Sequence, residues 1–372
     1  MASPYYVATT GNDSTGDGSS GNPYATPGKA LAVAVAGSAG WVIWVKAGTY
    51  NTTSNTNNIA SGTLNFNQTG SQTAFNRMEG YTTTIGDGGR FTMTLGSGLT
   101  GTMVTMNNAN SYQILNNIEV VGNSTSGSSA LNIIGRSNRV YNFKISAFTG
   151  GGSYIVNLAT NATLMAGEIS GGNTSNYAAL NTSDGSLIKD LWVHGNAGRG
   201  VDSSNGTGAV FHRVRSTDHT GSQGYGFHIQ GAPEFILIDC VADNNAQSNY
   251  YLQNGNPTLH CFNCISTRTG GYHWDNRSGV NAINLYNCAY YSATSGLSPV
   301  TPTVITNLQA LTGMPYTGSG DYNLNNTAGA GAACRGVLSS QTSGLSDNSY
   351  NDIGAVQHQD AGGGTTVLGM IF

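Results

Sequence analysis

The stretches LNNIEV at residues 115–120 and VYNFKI at residues 140–145 follow one pattern, and this pattern decides the fold. An apolar residue is followed three positions later by a second, mostly apolar residue, and two positions after that by a third. Six more segments repeat the pattern as far as residue 290. The second positions form an apolar column made of Ile118, Phe143, Gly167, Leu191, Val214, Cys240, Cys264 and Cys288. Successive members are 23 to 26 residues apart, and a repeat of this length predicts a stacked array of coils.

The composition indicates that the coils are made of strands. Of the 372 residues 53 are glycine and only 9% are charged, and Asn, Ser and Thr are abundant. These residue types favour turns and are poor in helix interiors. Within each segment apolar residues alternate with others, which is the period of a strand. The sequence therefore predicts an all-β fold, a parallel β-helix of about 24 residues per coil, with coils about 4.8 Å apart.

A polar column supports this register. The residue before each second position is mostly Asn or Asp, which tolerate a left-handed corner and can hydrogen-bond along a stack. The members are Asn117, Asn142, Ala166, Asp190, Arg213, Asp239, Asn263 and Asn287. Further strands are predicted at residues 42–45, 64–66, 91–93, 103–106, 131–134, 155–158, 177–180, 226–229, 250–252 and 272–274.

Both ends of the chain are similar to those of a known family. The opening holds Tyr5-Tyr6-Val7, Gly11-Asn12-Asp13 and Ala47-Gly48-Thr49-Tyr50, and near its end the chain reads Asp352-Ile353-Gly354-Ala355-Val356. In these segments the chain resembles right-handed parallel β-helix proteins of the pectate-lyase-like superfamily, over essentially its whole length. The resemblance implies the right hand of the coil. It carries no activity with it, because the sequence lacks the catalytic motifs of the polygalacturonases and the acidic calcium cluster of the pectate lyases.

Four segments are predicted. Residues 1–40 hold a strand and a short capping helix with Thr26 as its N-cap. Residues 41–293 form the β-helix. Residues 294–360, where the period fades, form an irregular C-terminal covering region. Residues 361–372 form a tail in which three glycines precede the apolar end Val-Leu-Gly-Met-Ile-Phe.

The overall charge and hydropathy exclude two classes of partner. A net charge of −4 and a pI near 5.9 argue against nucleic acid, which requires a basic stripe. No apolar stretch approaches the roughly 18 residues of a membrane helix. The N-terminus has neither the charged lead nor the apolar core of a secretory signal, so we expect none unless it was trimmed.

No metal or other cofactor is predicted. Cys240, Cys264 and Cys288 share the apolar column, so we expect buried thiols that act as small apolar fillers rather than disulfides or metal ligands. The loop with Asp13 and Asp17 offers only two carboxylates, which is a weak signal for calcium.

One outward column concentrates the few charges of the chain. Its members follow the apolar column by one residue and are Glu119, Lys144, Glu168, Trp192 and Arg215. The four charged members are the catalytic candidates. The carboxylates of Glu119 and Glu168 could serve an inverting glycosidase, or Lys144 could act as the base of a lyase while Arg215 neutralises a uronate. The favoured alternative is an alternating charge ladder with a cation–π contact between Arg215 and Trp192.

A second outward group suggests ligand binding. Its members are aromatic, imidazole or acidic, and with Trp192 they could bind sugar rings by stacking and hydrogen bonds. They are Asp202, His228, Tyr251, His273 and Asp275. The alternative is that flat rings stack across strands for stability alone.

Two functions remain open on the sequence. The favoured one is a structural or adhesive protein on the surface of a virus particle, because the chain is similar to phage-borne β-helix proteins in its glycine-linked apolar tail. Residues 361–372 would then bind other virion subunits or a second copy, and the outward ladder would bind surface polysaccharide. On this hypothesis the chain is not an enzyme. The alternative is a secreted, extracellular polysaccharide lyase or glycoside hydrolase that acts on an acidic polysaccharide.

Overall fold

The chain winds into a parallel β-helix. The computed structural model describes residues 4–51, 64–95, 101–106, 111–122, 129–148, 154–172, 177–203, 208–231, 234–253, 255–277, 282–291, 304–318, 322–335 and 353–354. Its strands are β1 Tyr5–Val7, β2 Val42–Lys46, β3 Thr49–Asn51, β4 Leu64–Phe66, β5 Asn76–Tyr81, β6 Phe91–Thr94, β7 Thr102–Met106, β8 Gln113–Val121, β9 Ser129–Ile133, β10 Arg139–Ser146, β11 Val156–Leu158, β12 Thr163–Ser170, β13 Ala178–Asn181, β14 Leu187–His194, β15 Arg199–Ser203, β16 Val210–Thr217, β17 Phe227–Ile229, β18 Glu234–Ile238, β19 Val241–Asn245, β20 Tyr250–Leu252, β21 Thr258–Phe262, β22 Ile265–Thr269, β23 Trp274–Asn276, β24 Ala282–Tyr291 and β25 Val304–Ala310.

Two sheets make up the coil. The second sheet runs β4-β7-β9-β11-β13-β15-β17-β20-β23, and the other strands belong to the first sheet. Neighbouring strands pair in parallel one coil apart, so that Phe143 lies opposite both Ile118 and Gly167. This register confirms the predicted apolar column. The column faces the interior, where all its members except the half-buried Gly167 are buried together with the inward residues of the second sheet.

The polar column forms a corner within each coil of the first sheet. All eight of its residues have positive φ, between 45° and 58°. Their side chains bond along the stack: the amide of Asn142 donates to Oδ1 of Asn117 at 2.7 Å, and that of Asn263 donates to Oδ1 of Asp239 at 2.9 Å. The corner is therefore a property of the coil, and Ala166 adopts it although its type does not favour it.

The cysteines are buried free thiols, as predicted. The thiols of Cys240, Cys264 and Cys288 donate to backbone carbonyls of the preceding coil, at Phe211, Leu237 and Cys261 respectively, over 3.4–3.6 Å. Each sulfur thus occupies an equivalent place in successive coils. They fill the interior column as small side chains.

The N-terminal end of the β-helix is closed by helix α1, Pro27–Ala36. It begins as the sequence predicts: the backbone N–H of Lys29 donates to the Thr26 hydroxyl, at 3.2 Å. Asp13 fixes this start, because its carboxylate accepts from the backbone N–H of Ala25 and of Thr26. Leu31 and the small residues of the inner face are buried. No helix of the described residues is long and apolar enough to cross a membrane.

At the other end, the first sheet continues past residue 293, where the sequence placed the end of the β-helix. Strand β25 pairs with β24, and Leu308 lies opposite Cys288 in the apolar column. The chain then turns back over the outside of the first sheet and covers Val241, Ile265 and Ala289. The covering residues are Leu311, Tyr316, Tyr322, Leu324, Cys334 and Ile353. We call this cluster the C-terminal cover.

One strand prediction needs correction: the predicted strand at residues 272–274 lies two residues too early, since β23 spans Trp274–Asn276. Strands β3, β5, β15 and β25 were not among the predicted strands. The apolar tail, residues 361–372, lies outside the described residues.

Candidate functional site

The predicted charged column lies in register on the outside of the first sheet. Lys144 is opposite Glu119 and Glu168, and Trp192 is opposite Glu168 and Arg215. The Lys144 ammonium lies 3.4 Å from one oxygen of Glu168, and the other oxygen is 3.1 Å from Nε2 of His194. The pKa of Glu168 is lower than its ordinary value. Partial burial acts to raise it, but the hydrogen bond from His194 and the charge of Lys144 together have the larger effect. The alternating charge ladder is therefore present, with Lys144 ion-paired.

The ring of Trp192 is in contact with other side chains on its faces and is not free to stack on a sugar. Its ring stacks on His194 with centroids 3.9 Å apart, and the Arg215 guanidinium carbon lies 4.9 Å from the ring centroid. Its indole N–H donates to the hydroxyl of Thr217 at 3.1 Å. The predicted cation–π contact thus exists, and the ring's contacts compete with a stacked sugar.

The second predicted group forms a ladder, but it is buried. Asp202, His228, Tyr251 and Asp275 follow one another in register on the outer side of the second sheet. Asp202 has no exposed surface: it accepts from Arg199 at 2.7 Å and lies 2.8 Å from Nδ1 of His228. Arg199, Tyr225 and Arg277 contact this ladder, and its four members are buried. They therefore do not present the outward sugar-binding surface that the sequence predicted.

His273 does not belong to that ladder. It precedes β23 at a corner of the coil and points into the interior, where its Nδ1 lies 2.7 Å from the hydroxyl of Ser266. Burial lowers the pKa of His273 to about 4. The prediction was wrong because it set the strand two residues early, which put His273 where Asp275 lies.

A second set of corners, which the sequence analysis missed, surrounds an open groove. Asp218 directly follows β16, whereas Asn244 and Arg268 lie near the ends of β19 and β22, and the three residues have φ of 59°, 54° and 34°. They are 26 and 24 residues apart and so occupy equivalent places in successive coils. They line a cavity of about 780 Å³ with His219, Thr220, Asn245, Ala246, Thr269, Gly270, Tyr291 and Met314. We call this cavity the corner groove.

The polar groups of the corner groove are held by one another. The amide of Asn244 donates to the Asp218 carboxylate at 2.7 Å. The guanidinium of Arg268 donates twice to Asp243, which has no exposed surface, and Nε contributes one bond of 2.9 Å. Hydrogen bonding from Arg268 to the Asp243 carboxylate raises the pKa of Arg268 above its ordinary value. The Arg268 side chain nevertheless stays 38% exposed, so part of the cation faces the groove.

Tyr322 connects the corner groove to the charged column. Its hydroxyl donates to Asp243 at 3.3 Å, while the Arg215 guanidinium lies 5.7 Å from the centre of its ring. Burial raises the pKa of Tyr322, so its hydroxyl stays protonated as a donor. Met314, which packs against the C-terminal cover, lines the groove, and Tyr322 of the cover orients Asp243, which in turn orients Arg268.

The described residues do not fit a calcium site. They contain no group of three or more His, Cys, Asp or Glu side chains placed to bind a metal. In the N-terminal loop both oxygens of Asp13 accept hydrogen bonds at the start of α1, and Asp17 accepts from the backbone of Ser19. In the corner groove, the guanidinium of Arg268 already neutralises Asp243.

Similar structures define the fold class. No protein-family model matches the sequence, and a search of curated proteins finds no match. The solved structure of the pectate lyase Pel9A is similar over 96% of this chain and 96% of its own, with a TM-score of 0.68 and 18% sequence identity. A rhamnogalacturonan lyase is similar over 85% of this chain and 90% of its own, with a TM-score of 0.60 and 12% identity. At these identities the likeness shows the fold: the chain is a parallel β-helix of the pectate-lyase type.

Proposed function

We propose that the chain is a polysaccharide lyase or glycoside hydrolase that acts on an acidic polysaccharide in the corner groove. The observation that carries this proposal is the set of Asp218, Asn244 and Arg268, which meet at successive corners around a cavity of about 780 Å³. This arrangement offers a carboxylate, an amide and a cation to one bound chain. The lyase names of two proteins with this fold and nearly this length support the same class of reaction.

The groove residues suit elimination chemistry. Arg268, fixed by Asp243, would bind the carboxylate of a uronate and so reduce the negative charge that grows when the neighbouring carbon loses its proton. Asp218 would accept that proton as the base. The glycosidic C–O bond then breaks, its oxygen takes up a proton from water, and the new end of the chain carries a carbon–carbon double bond. Asp218 returns its proton to the resulting hydroxide, which restores the carboxylate. Asn244 would hold a hydroxyl of the sugar while it orients Asp218.

The sequence favoured a structural or adhesive protein on a virus particle, which we call the assembly hypothesis. It now has less support than the enzyme. The structural neighbours named above are lyases, and the tail on which the hypothesis rests lies outside the described residues. A place on the surface of a virus particle, subunit partners and phage origin therefore remain predictions.

Incubation with a panel of acidic and neutral polysaccharides tests the proposal. An unsaturated uronate absorbs in the ultraviolet and identifies a lyase, whereas new reducing ends without that absorbance identify a hydrolase. We expect Asp218→Asn, which keeps the size of a half-buried side chain, to abolish product formation while the protein stays folded. We expect Arg268→Lys to weaken activity through KM, because an ammonium cannot make the paired hydrogen bonds of a guanidinium.

Glu168→Gln separates the two candidate sites, since it removes from the charged column the carboxylate that pairs with Lys144 and leaves the groove intact. Under the proposal this variant keeps most of its activity. Arg77→Gln serves as a control for loss of a surface charge, because Arg77 lies in β5, far from the groove, with its Nε 3.6 Å from a carboxylate oxygen of Glu79. Activity that depends on Glu168 or Lys144 but not on Asp218 would move the site to the charged column. No activity on any polysaccharide would favour the assembly hypothesis.

A further inference from the structure

The first sheet carries a partly exposed apolar surface on the outside of the coil. Leu187, Val210 and Ile236 lie opposite one another in β14, β16 and β18. In register, Ile236 is followed by His260, so the apolar surface continues through Ile238, two residues further along the same face of β18. Ile238 lies opposite Phe262 in β21, and Phe262 lies opposite Tyr286 in β24, where the two rings stack with centroids 4.7 Å apart. We call Leu187, Val210, Ile236, Phe262 and Tyr286 the apolar outer face. Leu187 is 37% exposed.

The last described residue, Gly354, lies at the border of this face. The backbone N–H of Gly354 donates to the carbonyl of Asn263 at 2.8 Å. Asn263 is the corner residue that directly follows Phe262. Gly354 also packs closely on Ile265, next to Val241. The segment that begins at residue 355 therefore starts beside the apolar outer face.

The length of that segment matches the distance to be covered. Residues 355–365 provide eleven residues, which reach at most about 36–40 Å when extended. From β21 back to β14 there are three coil steps, or about 14 Å along the axis. The last six residues, 367–372, read VLGMIF and are apolar apart from one glycine. Extended, they cover about 20 Å.

We propose that the chain's own C-terminal segment, residues 367–372, lies across the apolar outer face and shields it from water. Contiguous exposed apolar surface on a protein marks an interaction site, and the tail is the apolar segment tethered nearest to it. A tether of this length holds the tail at an effective concentration on the order of millimolar. A second copy of the protein at micromolar concentration competes poorly with it.

Photo-crosslinking locates the tail on the full-length protein. The photoreactive amino acid p-benzoylphenylalanine replaces Phe372, and the irradiated protein is digested and analysed by mass spectrometry. We expect crosslinks to β18, β21 and β24. The same amino acid in place of Ile85, which is 41% exposed on a different turn, is the control and should give none there. Crosslinks confined to other surfaces, or no crosslinks above the control, would overturn the proposal.

A mixture of isotopically heavy and light chains identifies the owner of the tail. Crosslinked peptides from one chain are all heavy or all light, whereas mixed pairs mean that the tail docks on a second copy and contradict the proposal. A variant that ends at Gly364 provides an independent measurement. It should bind more of a dye specific for apolar surface, and Phe262→Ser in the shortened chain should reverse the gain. Unchanged dye binding after truncation would also contradict the proposal. None of these readouts depends on polysaccharide cleavage.

Discussion

Gly167 shows how closely side chains of neighbouring coils fit inside the β-helix. It occupies a place in the apolar column, and a Cβ built there would lie 2.1 Å from Cε1 of Phe143 in the preceding coil. The ring of Phe143 therefore fills space that belongs to two coils. We expect Gly167→Ala to lower the free energy of unfolding by about 1–3 kcal/mol, because overpacking forces the ring or the backbone to move. Urea-induced unfolding measures the change.

Gly21→Ala is the matched control, since a Cβ there meets no atom within 4 Å. The double variant Gly167→Ala with Phe143→Leu should recover part of the loss, because the smaller side chain makes room. Equal costs for both alanine variants, or purely additive effects in the double variant, would show that the contact with Phe143 is not the cause.

Because two histidines are buried, we expect the free energy of unfolding to fall in acid. Burial lowers the pKa of His219 to about 3 and that of His273 to about 4, from an ordinary value of 6.5. Below pH 6.5 the unfolded chain binds protons that the folded chain does not bind, so the free energy of unfolding falls as the pH drops from 6.5 towards these values. Each histidine contributes a slope of about 1.4 kcal/mol per pH unit within its window. Above pH 6.5 this contribution is constant.

Urea unfolding at several pH values between 4.5 and 7.5 measures that slope. His273→Asn, which keeps a polar partner for Ser266, should make the slope shallower by about the contribution of one histidine. His260→Asn on the outside of the first sheet is the control. A slope that is the same in the wild type and in His273→Asn would show that His273 does not carry the acid sensitivity.

At the scale of elements, the ladder of corner residues has a gap at Ala166. Ala166 holds φ of 53°, a conformation that costs a non-glycine residue about 1–2 kcal/mol. Its neighbours along the stack are Asn142 and Asp190. Because alanine has no polar side-chain atom, the hydrogen-bonded ladder is interrupted between them. We expect Ala166→Asn to raise the free energy of unfolding by about 0.5–1 kcal/mol, because asparagine tolerates this backbone and can bond to Asn142. Ala159→Asn is the control, and a loss of stability on Ala166→Asn would contradict the role of the ladder.

The elements also show what the sequence could reveal. The strand at residues 64–66 was predictable from its apolar alternation, and the corners were predictable because Asn or Asp stands at six of the eight positions of the polar column. The corner groove was not, because the residues before Asp218 in its column are Ala147, Gly171 and Gly195, all with positive φ but of no common type. Burial of Asp202 was also unpredictable, since a strand pattern marks the outward side but not the side chains, here Arg199 and His228, that contact it there.

For the whole molecule, the structure predicts that the C-terminal cover detaches before the β-helix unfolds. The interior of the helix is one continuous cluster that runs through every described coil. The cover forms a separate cluster, which packs on Val241, Ile265 and Ala289 on the outside of the β-helix and contacts Asp243 and Trp192 through Tyr322. Parts of a protein with fewer buried apolar contacts open at lower free energy than the global transition.

The free thiols report on the two parts separately. Cys334 lies in the cover, whereas Cys240, Cys261, Cys264 and Cys288 lie in the interior of the β-helix, and all are buried. Burial raises the pKa of Cys261 and Cys264, which suppresses the reactive thiolate as well as access to it. We expect an alkylating reagent to modify Cys334 at urea concentrations below the main transition, and the four interior thiols only within it. Mass spectrometry of peptides from samples quenched along the urea series gives the order.

Cys334→Ser is the control, because it should abolish the early modification and leave the late one unchanged. All five thiols reacting together would mean that cover and helix unfold as one unit. The order also bears on the corner groove, because Tyr322 in the cover holds Asp243, which orients Arg268. If the cover opens first, polysaccharide cleavage should disappear at the urea concentration where Cys334 becomes reactive, while circular dichroism still reports an intact β-helix. Cleavage that persists to the main transition would show that the groove does not need the cover.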